Sequence, residues 1–168
     1  ELKAKINKKL GFIAGEIHIS TIHSFCHYIL ESYPDMHDFG ASFDVIDEDM
    51  ELMFLRNNLE ELGISEYKLP MVMDFYDKCS ENRIDPEKLE KRMKELYPKN
   101  KIYQKMCRSY KRYLELLKQQ NKVDFAGLQK NVLNLLENSR EVLEDLRGKI
   151  QFILVDEYQD TNPVQDRI

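Results

Sequence analysis

The chain has 168 residues, 42% hydrophobic and 33% charged, with a formal net charge of −5. That balance suits a folded domain with a sizeable core and is too apolar for a disordered chain. No apolar stretch nears the length of a membrane span and no signal-peptide pattern stands at Glu1. Cys26, Cys79 and Cys107 are scattered without a Cys-x-x-Cys pair, which argues against zinc or a disulfide framework and for a reducing cytoplasm.

Glu1 to Leu10 reads as the end of a helix stopped by Gly11. Glu16 to Ser20 alternates polar and apolar residues and is expected to be a short strand. Ser20 or Thr21 then caps a helix with Ile22, Phe25, Cys26, Ile29 and Leu30 on its apolar face, ended by Pro34. Asp35 to Asp47 reads as a loop, extended at Phe43 to Ile46. Glu48 to Leu62 is expected to be one helix burying Met50, Met53, Phe54 and Leu59 and stopping at Gly63. Pro70 to Lys78 is a short helical candidate, and Asp85-Pro86 caps and opens a helix through Leu96. Lys99 to Gln120 is the longest helix. Asp124 caps another through Leu136, and Ser139 caps a short one through Leu146. Phe152 to Val155 is an unbroken apolar run, the pattern of a strand buried on both faces of a parallel sheet. Asn162-Pro163 opens a last helix.

The expected fold is therefore α/β and predominantly helical. Parallel strands near 16–20 and 151–156 would be neighbours in a larger sheet, because two strands alone are not stable. A large all-helical insertion separates them.

Charge is unevenly spread. Residues 31–77 carry a local charge of −11, and residues 78–122 a local charge of +8. The basic stretch holds Tyr97, Tyr103, Tyr110 and Tyr113. Basic and aromatic residues together could track a phosphate backbone. A core stripe explains the tyrosines better, because Tyr103, Met106, Cys107, Tyr110, Tyr113, Leu114 and Leu117 share one helical face. His23, His27 and Glu31 also share a face, but lack a zinc-protease pattern, so metal binding there is not expected.

Asp156 and Glu157 directly follow the apolar run. Acids at the end of a buried parallel strand stand where open α/β sheets bind ligands, and such a pair can hold magnesium and orient a water. Three segments carry a resemblance: Ile19-Ser20-Thr21-Ile22-His23-Ser24-Phe25-Cys26, Val123-Asp124-Phe125-Ala126-Gly127-Leu128, and Asp156-Glu157-Tyr158-Gln159-Asp160-Thr161-Asn162-Pro163-Val164-Gln165. In this order they resemble the Thr-x-His-Ser, Asp-Phe-x-x-Leu and Walker B motifs of UvrD/Rep-type superfamily 1 DNA helicases.

The resemblance implies an ATP-dependent DNA helicase that couples hydrolysis to translocation on single-stranded DNA and to duplex unwinding. Residues 1–38 and 123–168 would be parts of its first RecA-like domain, and 39–122 a helical insertion domain. Asp156 would hold magnesium through water, and Glu157 would polarise the attacking water. Gln159, as a catalytic residue, and Asp160, as a cofactor-binding one, would sense the γ-phosphate and link it to the DNA-binding side. Thr21, His23 and Ser24 would contact DNA. The cofactors implied are ATP and Mg; the partners are single-stranded and duplex DNA and the rest of the motor, its Walker A region and second RecA-like domain. Capping competes for Asp160 and Asn162 and is the expected role of Asp124.

No Gly-x-x-x-x-Gly-Lys-Thr loop occurs in the sequence, and the family's later arginines are missing too. The chain is expected to be an excised piece of a longer motor, inactive alone. Two other readings are a helicase-nuclease of the AddA/RecB type and a non-enzymatic helical module that binds DNA or protein.

Overall fold

The computed structural model describes residues 4, 5, 8, 9, 17–39 and 42–168. The helix expected over Glu1 to Leu10 falls largely outside the described residues, as do its stop at Gly11 and the first residue of the strand expected at Glu16. Thr21 caps α1 (Ile22–Ser32) by accepting from the Ser24 N–H, and α1 buries Cys26, Ile29 and Leu30 as its apolar spacing requires.

The described sheet has two strands. β1 (Asp44–Ile46) pairs in parallel with β2 (Lys122–Asp124), with Val45 opposite Val123. The extended stretch at Phe43 to Ile46 is thus a strand, and its partner is a segment whose sequence suggested only a cap. The strands expected near 16–20 and 151–156 are not formed by the described residues: residues 17–20 and 152–155 have no regular structure. Phe152 is 87% exposed and Leu154 97%. An apolar run becomes a buried strand only where neighbours satisfy its backbone and cover both faces, and no described segment does so.

Between the strands the chain is helical. Asp47 caps α2 (Glu48–Asn57), and α3 (Leu59–Leu62) follows after Asn58. The single helix expected over Glu48 to Leu62 is broken there, because Asn58 leaves helical geometry and its side chain bonds the Phe54 carbonyl at 2.7 Å. Gly63, at φ 64°, ends α3 as expected. The buried face of α2 is turned from the expected one. Met53 is 61% exposed and Met50 is exposed too, while Glu51, Phe54 and Leu55 point inward. Glu51 is accepted there because Tyr113 gives it a polar partner.

α4 (Leu69–Glu81) is longer than its candidate. α5 (Pro86–Leu96) starts at its Asp85-Pro86 cap, and α6 (Lys101–Gln119) is capped by Asn100. α6 presents Cys107, Tyr110, Tyr113, Leu116 and Leu117 to the core; Tyr97 and Tyr103 stay exposed, their rings 5.2 Å apart. Asp124 caps α7 (Phe125–Asn138) and Ser139 caps α8 (Arg140–Lys149). The last segment has two single turns of 3-10 helix, Tyr158–Asp160 and Gln165–Arg167, in place of a longer helix.

Two apolar clusters result. One gathers Ile46, Phe54, Leu55, Val72, Tyr76, Tyr110 and Tyr113 from residues 46–117. The other gathers Cys26, Ile29, Leu30, Val123, Leu128, Val132 and Val142 from α1, β2, α7 and α8. The three cysteines are buried and unpaired, and burial pushes the Cys26 thiol up to about 12.

Candidate functional site

Where the two clusters meet, a cleft of about 210 Å³ is lined by His23, Glu48, Glu51, Asp77, Phe125 and Asn162, among others. Residues far apart in sequence converge there because α1 packs against α7 and the chain returns over both after residue 160. The His23 ring stacks on Phe125, centroids 4.3 Å apart. Gln129 lies one helical turn beyond Phe125 and is 2% exposed; its Nε2 is 2.6 Å from His23 Nε2. Asn162 Nδ2 donates to Gln129 Oε1 at 3.2 Å and to Glu81 Oε1 at 3.3 Å. Asn162 Oδ1 accepts the Val164 and Gln165 N–H groups at 3.0 and 2.9 Å, and Gln165 Oε1 accepts the Asn162 N–H. This is a reciprocal capping box. Asn162 therefore caps, while the Asp160 side chain, exposed, makes no such bond.

Below the cleft lies a buried proton-sharing group. The Tyr113 hydroxyl is 2.9 Å from Glu51 Oε1 and 2.7 Å from Asp124 Oδ2. It has one hydrogen and cannot donate to both. Asp124 Oδ1 also accepts the Gly127 N–H at 2.5 Å, so two donors point at Asp124 and at most one at Glu51. Burial, and then the charge of Asp124, pushes Glu51 up to about 8. A Glu51 held neutral in this way can donate to Tyr113, which leaves the single Tyr113 hydrogen for Asp124. Burial also raises Asp124, opposed by Tyr113, the Gly127 N–H and Lys130. Asp77 beside them is raised to about 6 by burial first and Asp124 second. Burial lowers His23, which favours the neutral ring.

The structure brings His23 together with the second and third motifs but leaves the carboxylate pair elsewhere. Asp156 and Glu157 stand on an exposed turn, not at the tip of a strand, because the run before them pairs with no strand among the described residues. Glu157 is in the left-handed region at φ 52° and accepts a hydrogen bond from Gln159 Nε2. Asp156 Oδ1 accepts the Glu157 N–H at 3.0 Å. Thr21 and Ser24 are exposed and bonded to each other at the start of α1, where the Ile22 and His23 N–H groups have no partner among the described residues.

Sequence reasoning missed Gln129, Glu51 and the Tyr113 hydroxyl. For Gln129 a signal existed: a polar residue among Leu128, Val132 and Leu133 on the buried side of α7 needs a polar partner. For Glu51 none did, since an acid among the many of residues 31–77 looks solvated.

The chain is similar to proteins described as ATP-dependent DNA helicase PcrA. It is 29% identical to that of Staphylococcus epidermidis and 30% identical to that of Bacillus subtilis, in each case over 167 residues, 98% of this chain and 22% of the relative. The chain thus spans about a fifth of the length of the curated relatives it matches. The family model for the UvrD/REP helicase N-terminal domain matches residues 1–168. Matched along its whole length, the chain belongs to the UvrD/REP helicase N-terminal domain family.

Proposed function

We propose that this chain serves within an ATP-driven motor that translocates on single-stranded DNA and unwinds duplex. The observation that carries the reading is the convergence of the three family motifs on one network, through His23, Phe125 with Gln129, and Asn162. Residues 1–38 and 123–168 belong to a first RecA-like domain and 39–122 to a helical insertion. The division of the core into a cluster from 46–117 and one from α1, β2, α7 and α8 supports that partition.

The residues at the acid turn fit a hard divalent cation: Asp156 and Glu157 offer only oxygens and are open to solvent. Magnesium, when bound with ATP, neutralises charge on the phosphates. Asp156 would hold that ion. Glu157 orients and polarises the attacking water, and Gln159, already bonded to Glu157, restrains that carboxylate and senses the phosphate being lost. Asp160 lies on the same turn and would contact the cofactor side. At the other end of the network, Thr21, His23 and Ser24 surround the α1 N-terminus, whose dipole, with the Ile22 and His23 N–H groups that have no partner among the described residues, favours a DNA phosphate. The phosphate-binding loop and second motor domain come from sequence outside these 168 residues.

The test is Glu157→Gln in the longer protein that carries this chain with such a loop. ATP turnover should fall by about a thousandfold or more, the scale of removing a water-positioning group and its charge, while nucleotide affinity stays within a few fold. Preserved turnover would remove Glu157 from its role.

A further inference from the structure

The hydrogen bonds around Asn162 have only one consistent polarity. The Val164 and Gln165 N–H groups can only donate, so the Asn162 atom they reach must be Oδ1. Its other amide atom is then Nδ2, and both Nδ2 hydrogens are used, toward Glu81 Oε1 and toward Gln129. The Gln129 atom facing Asn162 must accept and is Oε1. Gln129 therefore turns its Nε2 to His23, 2.6 Å away, and that ring nitrogen must be the acceptor.

We propose that Gln129 is a positioning residue that passes the polarity of the Asn162 cap to His23 and fixes the imidazole with its proton on Nδ1. The Phe125 ring holds the imidazole plane from one face, so Gln129 sets the tautomer and Phe125 the orientation. Nδ1 has no partner among the described residues, so its N–H is left to donate to an oxygen of a ligand, the chemistry of a nucleic-acid phosphate or base carbonyl. This use of His23 rests on the DNA-contact reading above; the tautomer itself does not. The relay joins the segment after the acid turn to the start of α1. A rearrangement of the 162–165 cap therefore changes the donor pattern of His23 without moving α1.

The experiment is nitrogen NMR of the His23 ring in the 168-residue chain, without DNA or nucleotide. The wild type should show a protonated Nδ1 and a bare Nε2. Asn162→Asp keeps the capping acceptor but removes both donors. Gln129 should then rotate to face position 162 with Nε2 and His23 with Oε1, and the two ring-nitrogen signals should exchange character. Gln129→Glu should likewise move the proton to Nε2, whereas Gln129→Met should leave a mixture of tautomers. A wild-type ring protonated on Nε2 would overturn the proposal even if every variant failed to fold, and so would a ring indifferent to Asn162→Asp in a folded chain. If the motor reading failed, the ring spectrum would be unaffected. If the relay failed, ATP turnover and DNA binding by the longer protein would stand.

Discussion

Glu51→Gln in the buried Glu51–Tyr113–Asp124 group should remove a pH dependence that the wild type cannot avoid. Glu51 is 5% exposed, and its folded-state pKa is pushed from 4.5 up to about 8. A carboxyl raised on folding contributes stability that is complete below its unfolded pKa and is lost as pH rises through the folded one. Between pH 4.5 and about 8 the unfolded chain has released this proton and the native chain has not. Wild-type stability should therefore fall toward about 1.4 kcal/mol per pH unit from this one group, a loss of a few kcal/mol over the window. Asp77, raised to about 6, adds to the slope at its acidic end. The amide introduced by the change still donates to Tyr113, so near pH 5 the two proteins should differ by less than about 1 kcal/mol. Near pH 8 the variant should be the more stable. Urea denaturation from pH 5 to 9, followed by circular dichroism, measures the difference. Two curves that run parallel across the range would show that Glu51 is already ionised and that the proton count at Tyr113 is wrong.

Other consequences are separable. A Cβ on Gly127 would lie 2.6 Å from the Asp124 Oδ1 that caps α7 and 3.2 Å from Val123 Cγ2, both fixed by buried neighbours. Gly127→Ala should cost about 1–3 kcal/mol, read as a lower urea midpoint with unchanged slope. Asp85 accepts from two N–H groups at the exposed start of α5, so Asp85→Ala should cost about 1 kcal/mol and raise hydrogen exchange mainly in α5. His23 should titrate below 6.5, since burial and the Gln129 N–H both oppose a proton on Nε2. Its share of stability is present above 6.5 and lost on acidification, opposite in sign to Glu51, and a ring midpoint at or above 6.5 would contradict the geometry.

Helices were legible where a cap and a stop bracket a stripe. Asp85-Pro86 and Ser139 mark true starts, Gly63 a true end, and α1 buries the face its spacing names. The stripe on Glu48 to Leu62 misled because Met50 and Met53 are apolar but flexible and lie outside, while Glu51 is drawn in by a tyrosine that sequence places 62 residues away. Strands were the weak part. Asp44–Ile46 and Lys122–Asp124 are three residues each, too short for a period, and the whole run of helices α2 to α6 separates the two partners in the chain. Phe152 to Val155 has the composition of a buried strand but no described neighbour to bury it. The motifs named His23 and the acid turn; they did not show that Gln129 and Asn162 tie the first to the segment after the second, since hydrogen-bond polarity is a property of contacts and not of spacing.

The most direct test of the motor account is ATP hydrolysis by the 168-residue chain alone, assayed by phosphate release with and without single-stranded DNA. The chain holds the acid turn but no loop to cradle the phosphates, so turnover should stay at background in both conditions. Hydrolysis stimulated by DNA and abolished by Glu157→Gln would contradict the account, because these residues would then form a complete nucleotide site.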